Sequence, residues 1–215
     1  MDASAFAARL AELRVVPVVS IDDAADAVGL ADALAAAGLP MLEITFRTEA
    51  AADAIAAIRA ARPDVLVGAG TVLDAATVDR AMAAGAAFLV APGFSPAVVA
   101  RAAEHGVAML PGALTPTEIE MALAAGFRLL KFFPAEASGG VRYIKAVAAP
   151  YRGVRFVPTG GVTPANLAEY LALPAVAACG GTWIAPADAI RAHRWDEITR
   201  AAAEAMAIAR GASAA

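Results

Sequence analysis

Eight short apolar runs recur along this chain at an average spacing of about 23 residues. That spacing limits the available folds more than any other feature. The runs cover residues 15–20, 41–45, 66–70, 88–91, 108–111, 129–132, 155–159 and 176–180. Alanine-rich stretches with charge on one face lie between them, among them 22–37, 49–61 and 115–125. Several of these end at a glycine, namely Gly38, Gly85, Gly106 and Gly126, the expected residue just past a helix C-terminus. Their starts carry Asp22, Thr48, Ser95-Pro96, Thr115-Pro116 and Thr163-Pro164. A capping oxygen followed by proline at the first helical position is a strong start signal.

Alternating strand and helix patterns predict a parallel sheet, and strands apolar throughout predict burial on both faces. Eight such units in 215 residues match an α/β fold of the closed (β/α)8 TIM-barrel type in both count and length. Residues 3–14 read as a short amphipathic N-terminal helix ahead of the first strand. A doubly wound open sheet is the alternative; it calls for fewer strands and a longer excursion at its switch point. No linker or low-complexity stretch divides the chain, so one barrel domain over residues 1–215 is expected, frayed after about Gly211.

Composition excludes several function classes. Hydrophobic residues make up 60% of the chain, but alanine dominates, and the longest uncharged runs are broken by Gly85, Pro92, Gly93 and Pro96. None reads as a membrane-spanning helix. No basic-then-apolar leader is visible at the N-terminus. The lone Cys179 lies in an apolar run and reads as a small buried hydrophobe. A cytoplasmic location is expected. Net charge is −4 and the arginines are scattered, which argues against a nucleic-acid surface. The only histidines, His105 and His193, fall outside the strand ends, and no Cys/His ligand spacing exists. No metal and no cofactor is therefore expected.

In a barrel of this kind the active site lies at the C-terminal ends of the strands. Of 17 basic residues only Lys131 and Lys145 are lysines, and Lys131 is embedded in Leu129-Leu130-Lys131-Phe132-Phe133. Burial of an amine disfavours its ammonium form, and the free amine is a nucleophile toward carbonyls. A lysine snorkelling to water is the competing reading. On the second strand Glu43 and Thr45, with Arg47 beyond them, share one parity, so a strand extended that far points all three one way. Glu43 is either a structural partner of Arg47 or a carboxylate for proton transfer beside Lys131. Arg47 suits two-pronged contact with a substrate carboxylate, and Thr71 on the next strand can donate to the same group. Gly160-Gly161 and Gly180-Gly181 fall in the loops after strands seven and eight. Those loops often bind phosphate through backbone N–H groups, and Thr182 adds a hydroxyl.

The strings Glu43-Ile44-Thr45-Phe46-Arg47-Thr48, Gly68-Ala69-Gly70-Thr71-Val72, Lys131-Phe132-Phe133-Pro134-Ala135-Glu136, Pro158-Thr159-Gly160-Gly161-Val162 and Gly180-Gly181-Thr182-Trp183 resemble the 2-keto-3-deoxy-6-phosphogluconate (KDPG) aldolase / 4-hydroxy-2-oxoglutarate aldolase family. The match is collinear from about residue 10 to 205. The resemblance implies a class I aldolase without a metal, a homotrimer, and a small keto-acid phosphate as substrate. By position, Lys131 would form the Schiff base and Glu43 would shuttle protons. Arg47 and Thr71 would hold the pyruvate carboxylate near Pro92, with Phe133 walling the site. Gly160, Gly161, Gly181 and Thr182 would hold the phosphate. Many relatives carry serine where this chain has Thr182, a change that keeps the hydroxyl. Thr159 matches the gluconate-type enzymes and separates them from those for the galactonate epimer. Aldol cleavage of 4-hydroxy-2-oxoglutarate, action on the galactonate epimer, a non-aldolase phosphate-binding barrel enzyme and a non-catalytic scaffold are the competing functions.

Overall fold

A computed structural model describes residues 1–212; the tail expected to fray lies largely beyond them. Eight strands alternate with helices: β1 (Val15–Val19), β2 (Met41–Thr45), β3 (Leu66–Gly70), β4 (Phe88–Val90), β5 (Ala108–Leu110), β6 (Leu129–Phe132), β7 (Arg155–Pro158) and β8 (Cys179–Gly181). The helices are α1 (Ala3–Leu13), α2 (Ala27–Ala36), α3 (Ala51–Ala61), α4 (Ala75–Ala83), α5 (Pro96–Glu104), α6 (Pro116–Ala124), α7 (Gly140–Ala148), α8 (Pro164–Leu171), α9 (Ala187–Arg191) and α10 (Trp195–Gly211).

All strand pairs are parallel. Six strands form one sheet in the order β5-β4-β3-β2-β1-β8, a half-barrel, and β6 and β7 pair as a second sheet. At one seam Lys131 N–H donates to Pro111 O (2.8 Å) and Ala113 N–H to Lys131 O (2.9 Å). At the other, Phe156 N–H donates to Ala175 O (2.7 Å) and Ala177 N–H to Phe156 O (2.9 Å). These seams are isolated bridges rather than ladders. The reason is local: β5 stops at Leu110 because Pro111 has no N–H to extend a ladder. The last strand starts later than its apolar run suggests, because only Val176 bridges β7, at Phe156, before Cys179 pairs with Val15 of β1.

The strands β1 and β2 are buried at every position, as parallel strands covered on both faces must be. Helix α1 lies at the end of the sheet opposite the strand C-termini. Phe6 stacks on Phe88 at 4.7 Å, and the N-terminal ammonium donates to Ala87 O. Burying Phe6, Leu10 and Leu13 contributes about 1.5–3 kcal/mol per side chain.

Ser95 and Thr115 cap α5 and α6 as expected, each with proline at the next position. At the start of α8, Thr163 N–H donates to Asn166 Oδ1 (2.8 Å). Gly38, Gly85, Gly106 and Gly126 all have positive φ. Two expected starts are corrected. A short 3-10 turn, Ala24–Asp26, precedes α2 and is capped by Asp23, whereas Asp22 pairs with Arg191 at 2.9 Å. The Thr48 hydroxyl donates to Ile21 O at 2.6 Å, and α3 starts only at Ala51. Both side chains found partners outside their own helix start, Asp22 at the end of α9 and Thr48 in the loop after β1, that a local cap reading does not contain. No helix among the described residues is long and apolar enough to cross a membrane.

Candidate active site

Strands β2 and β6 face each other across the interior, and each supplies one buried ionisable side chain. Lys131 retains 5% of its surface and Glu43 3%. Lys131 Nζ donates to Glu43 Oε1 at 3.2 Å, so the amine is not snorkelling. Lys131 Nζ also sits over the Phe133 ring, 5.7 Å from the centroid. Glu43 pairs with Lys131 rather than with Arg47, which settles the first of the two readings of that carboxylate against the Arg47 partnership.

The room for this pair comes from a residue without a side chain. A Cβ on Gly70, the neighbour of Glu43 on β3, would stand 2.0 Å from Glu43 Oε1. Glycine at that position is therefore required by the carboxylate's placement, a role that the sequence reading missed.

Strand β2 does not stay extended to Arg47. Its ladder ends at Thr45, and Arg47 N–H turns back to Thr45 O at 2.8 Å. Thr45 spends its hydroxyl on Val19 O at 2.9 Å. Arg47 nonetheless reaches the same mouth, where its Nε donates to Thr71 Oγ1 at 3.2 Å. Thr71 itself has φ 56°, a left-handed conformation uncommon for a branched residue and frequent at ligand-binding positions.

A cavity of about 120 Å³ opens above Lys131, lined by Val18, Arg47, Thr71, Pro92, Lys131, Phe133, Thr159, Gly160 and Thr182. These include eight of the residues singled out from sequence; Val18 is an addition. Glu43 lies beneath Lys131 instead of on the wall. Gly161 and Gly181 are also off the wall: Gly161 backs onto Glu136, and Gly181 lies under the Trp183 ring and pairs with Pro17. A second groove of about 330 Å³ shares Val18, Arg47 and Thr182 and continues past Ser20 and Trp183. Ser20 and Trp183 are not among the site residues read from sequence, because they reach the mouth only once β1 and β8 pair.

The floor is thus a buried amine with a carboxylate at hydrogen-bond distance, and the rim carries a guanidinium and three threonine hydroxyls. Such a set can attack a carbonyl, carry a proton and hold a carboxylate. Both histidines lie away from it, His105 against Asp79 and His193 against Asp26.

The family model for KDPG and KHG aldolase matches residues 6–201. A 2-dehydro-3-deoxy-phosphogluconate aldolase of Treponema pallidum is 51% identical over 199 residues, 93% of this chain and 95% of that protein. The KHG/KDPG aldolase of Escherichia coli is 45% identical over 192 residues, 89% and 90% of the two chains. A crystal structure of KDPG aldolase from Legionella pneumophila, with pyruvate captured at low pH as a covalent carbinolamine intermediate, superposes with a TM-score of 0.89. Its identity is 38%, over 92% of this chain and 96% of that one.

Proposed function

Since the chain belongs to the KDPG and KHG aldolase family, we propose a division of labour among its own residues for the aldol cleavage that defines that family. The enzyme is a class I, Schiff-base lyase that splits 2-dehydro-3-deoxy-6-phosphogluconate into pyruvate and glyceraldehyde 3-phosphate. The observation that carries the residue assignment is the 3.2 Å contact between two buried groups, Lys131 Nζ and Glu43 Oε1.

Glu43 takes the ammonium proton, and the free Lys131 amine attacks C2 of the keto acid. Glu43 returns that proton to the C2 hydroxyl of the carbinolamine, which leaves as water; the resulting iminium draws electrons from the C3–C4 bond. Glu43 accepts the C4 hydroxyl proton, directly or through water, as that bond breaks and the aldehyde leaves. It returns a proton to C3 of the enamine, and hydrolysis frees pyruvate. Arg47 and Thr71, already hydrogen-bonded to each other, hold the C1 carboxylate beside Pro92. Phe133 covers one wall against water. Gly160 with Gly161, and Thr182 with Gly181, bind the phosphate from the β7 and β8 loops. Thr159, 4% exposed, stands where the configuration of the sugar chain is read.

We read the isolated bridges at the two seams as closing the eight strands into one barrel, and residues 1–215 as one domain around it. A homotrimer in the cytoplasm is the proposed working form, by family resemblance.

Steady-state release of pyruvate from KDPG, its galactonate epimer and 4-hydroxy-2-oxoglutarate tests the function. The gluconate compound should give the highest kcat/KM. Release from none of the three, with binding of phosphate esters retained, would replace the aldolase with another phosphate-binding barrel enzyme. The double name of the E. coli relative supports a second activity on 4-hydroxy-2-oxoglutarate, which needs only the Lys131–Glu43 floor and the Arg47–Thr71 pair.

A further inference from the structure

Helix α8 presents two side chains, Asn166 and Tyr170, four residues apart and hence on one face. Each grips a different loop at the mouth. Asn166 Nδ2 donates to Gly161 O at 3.1 Å, in the loop after β7. The Tyr170 hydroxyl donates to Glu136 Oε1, in the turn after β6. Tyr170 is fully buried, and burial, reinforced by the Glu136 carboxylate, raises its phenol above the usual range.

The two loops are also joined directly. Ala135 N–H donates to Thr159 O (2.8 Å) and Glu136 N–H to Gly160 O (3.0 Å). The stem of Glu136 lies so close to Gly161 that a Cβ there would come within 2.5 Å of Glu136 Cβ. On the other side, a Cβ on Gly140 would meet Glu136 Oε1 at 2.9 Å and the Tyr170 hydroxyl at 3.1 Å. Glu136 is therefore wedged between the two glycine positions, and its carboxylate is turned toward α8. Released from Tyr170, that negative charge would be free to swing toward the loop that carries Gly160 and Gly161, where it repels an anion.

From this geometry we infer that Glu136 and Tyr170 are positioning residues for the phosphorylated end of the substrate. They fix the Gly160-Gly161 backbone and keep a carboxylate out of the anion site, and they touch neither Lys131 nor the keto-acid end. The inference rests on the proposed function, in which those glycines bind phosphate.

Two substrates separate this role from a merely structural one: KDPG and the same acid without its phosphate. Tyr170→Phe should raise KM for the phosphorylated acid about tenfold, the loss typical of a charge-assisted hydrogen bond. kcat on both acids, KM for the unphosphorylated acid and borohydride trapping of pyruvate should stay near wild type. Glu136→Gln keeps an acceptor for the phenol and discards the charge, so its KM should remain close to wild type. An equal loss of Tyr170→Phe on both acids, or no change on either, overturns the positioning role. A wild-type enzyme that shows no preference for the phosphorylated acid overturns the phosphate reading of the glycine loops, and this inference with it. A preference that Tyr170→Phe retains in full overturns this inference alone.

Discussion

Replacing both members of the buried pair should leave the protein as stable as it began, while replacing either alone should not. Two unit charges 3.2 Å apart attract by about 5 kcal/mol at an effective dielectric constant of about 20. Taking each ion out of water offsets that gain by several kcal/mol, so the pair as a whole is near neutral for folding. Lys131→Met or Glu43→Met strands the other group in a site only 3–5% exposed, at an expected cost of about 3–5 kcal/mol. For a chain of this length that is a fall in Tm of about 6–20 °C. The double variant fills the same volume with two apolar chains and should unfold within about 1 kcal/mol of wild type, without aldolase activity. Urea unfolding of the four proteins at neutral pH, with m held common, gives the coupling energy. A coupling below about 0.5 kcal/mol, or a double variant that loses the sum of the singles, would refute the claim that these groups are paired and desolvated.

Gly70→Ala should drive the Glu43 carboxylate from its place, since the new methyl would lie 2.0 Å from Oε1. Overpacking of this kind costs about 1–3 kcal/mol, and kcat should fall by at least about tenfold; unchanged kcat would mean that Glu43 has freedom to move. A separate test concerns pH and the α6 capping box. Burial raises the Glu118 carboxyl, but the N–H groups of Thr115 and Leu114 outweigh it, and the net shift is below the ordinary 4.5. A depressed folded-state pKa stabilises above the unfolded value and is lost as pH falls through the folded value. Glu118→Gln should therefore cost about 0.5–1 kcal/mol at pH 7, a modest figure because the side chain is half-exposed, and the gap from wild type should shrink below about pH 4. A gap that is constant from pH 7 to pH 3 counts against the charge of the cap as its source.

The parts of the fold that were legible in the sequence depend on neighbours along the chain. Gly38, Gly85, Gly106 and Gly126 end helices through their own backbone freedom, and Ser95-Pro96 and Thr115-Pro116 start them through contacts three residues long. The strand parity that set Glu43 inward survived, and it places this carboxylate against Lys131, 88 residues away. Failures fall where a distant partner wins. Asp22 left its expected cap for Arg191, and Thr48 left its own for Ile21 O. The start of the last strand shifted because β1, not β7, sets its register. Gly70 and the Glu136–Tyr170 clasp had no local signature at all. A glycine that clears space for a side chain on the adjacent strand looks like any other glycine, and a clasp 34 residues apart in sequence becomes visible only when α8 docks beside the β6 turn.

The central claim is that Lys131 is the nucleophile. Incubation with pyruvate, reduction by borohydride and peptide mass mapping test it most directly. The reduced pyruvyl adduct should appear on the peptide that carries Lys131, and it should vanish in Lys131→Met. An adduct on Lys145, or none on a protein that still cleaves the substrate, contradicts the account.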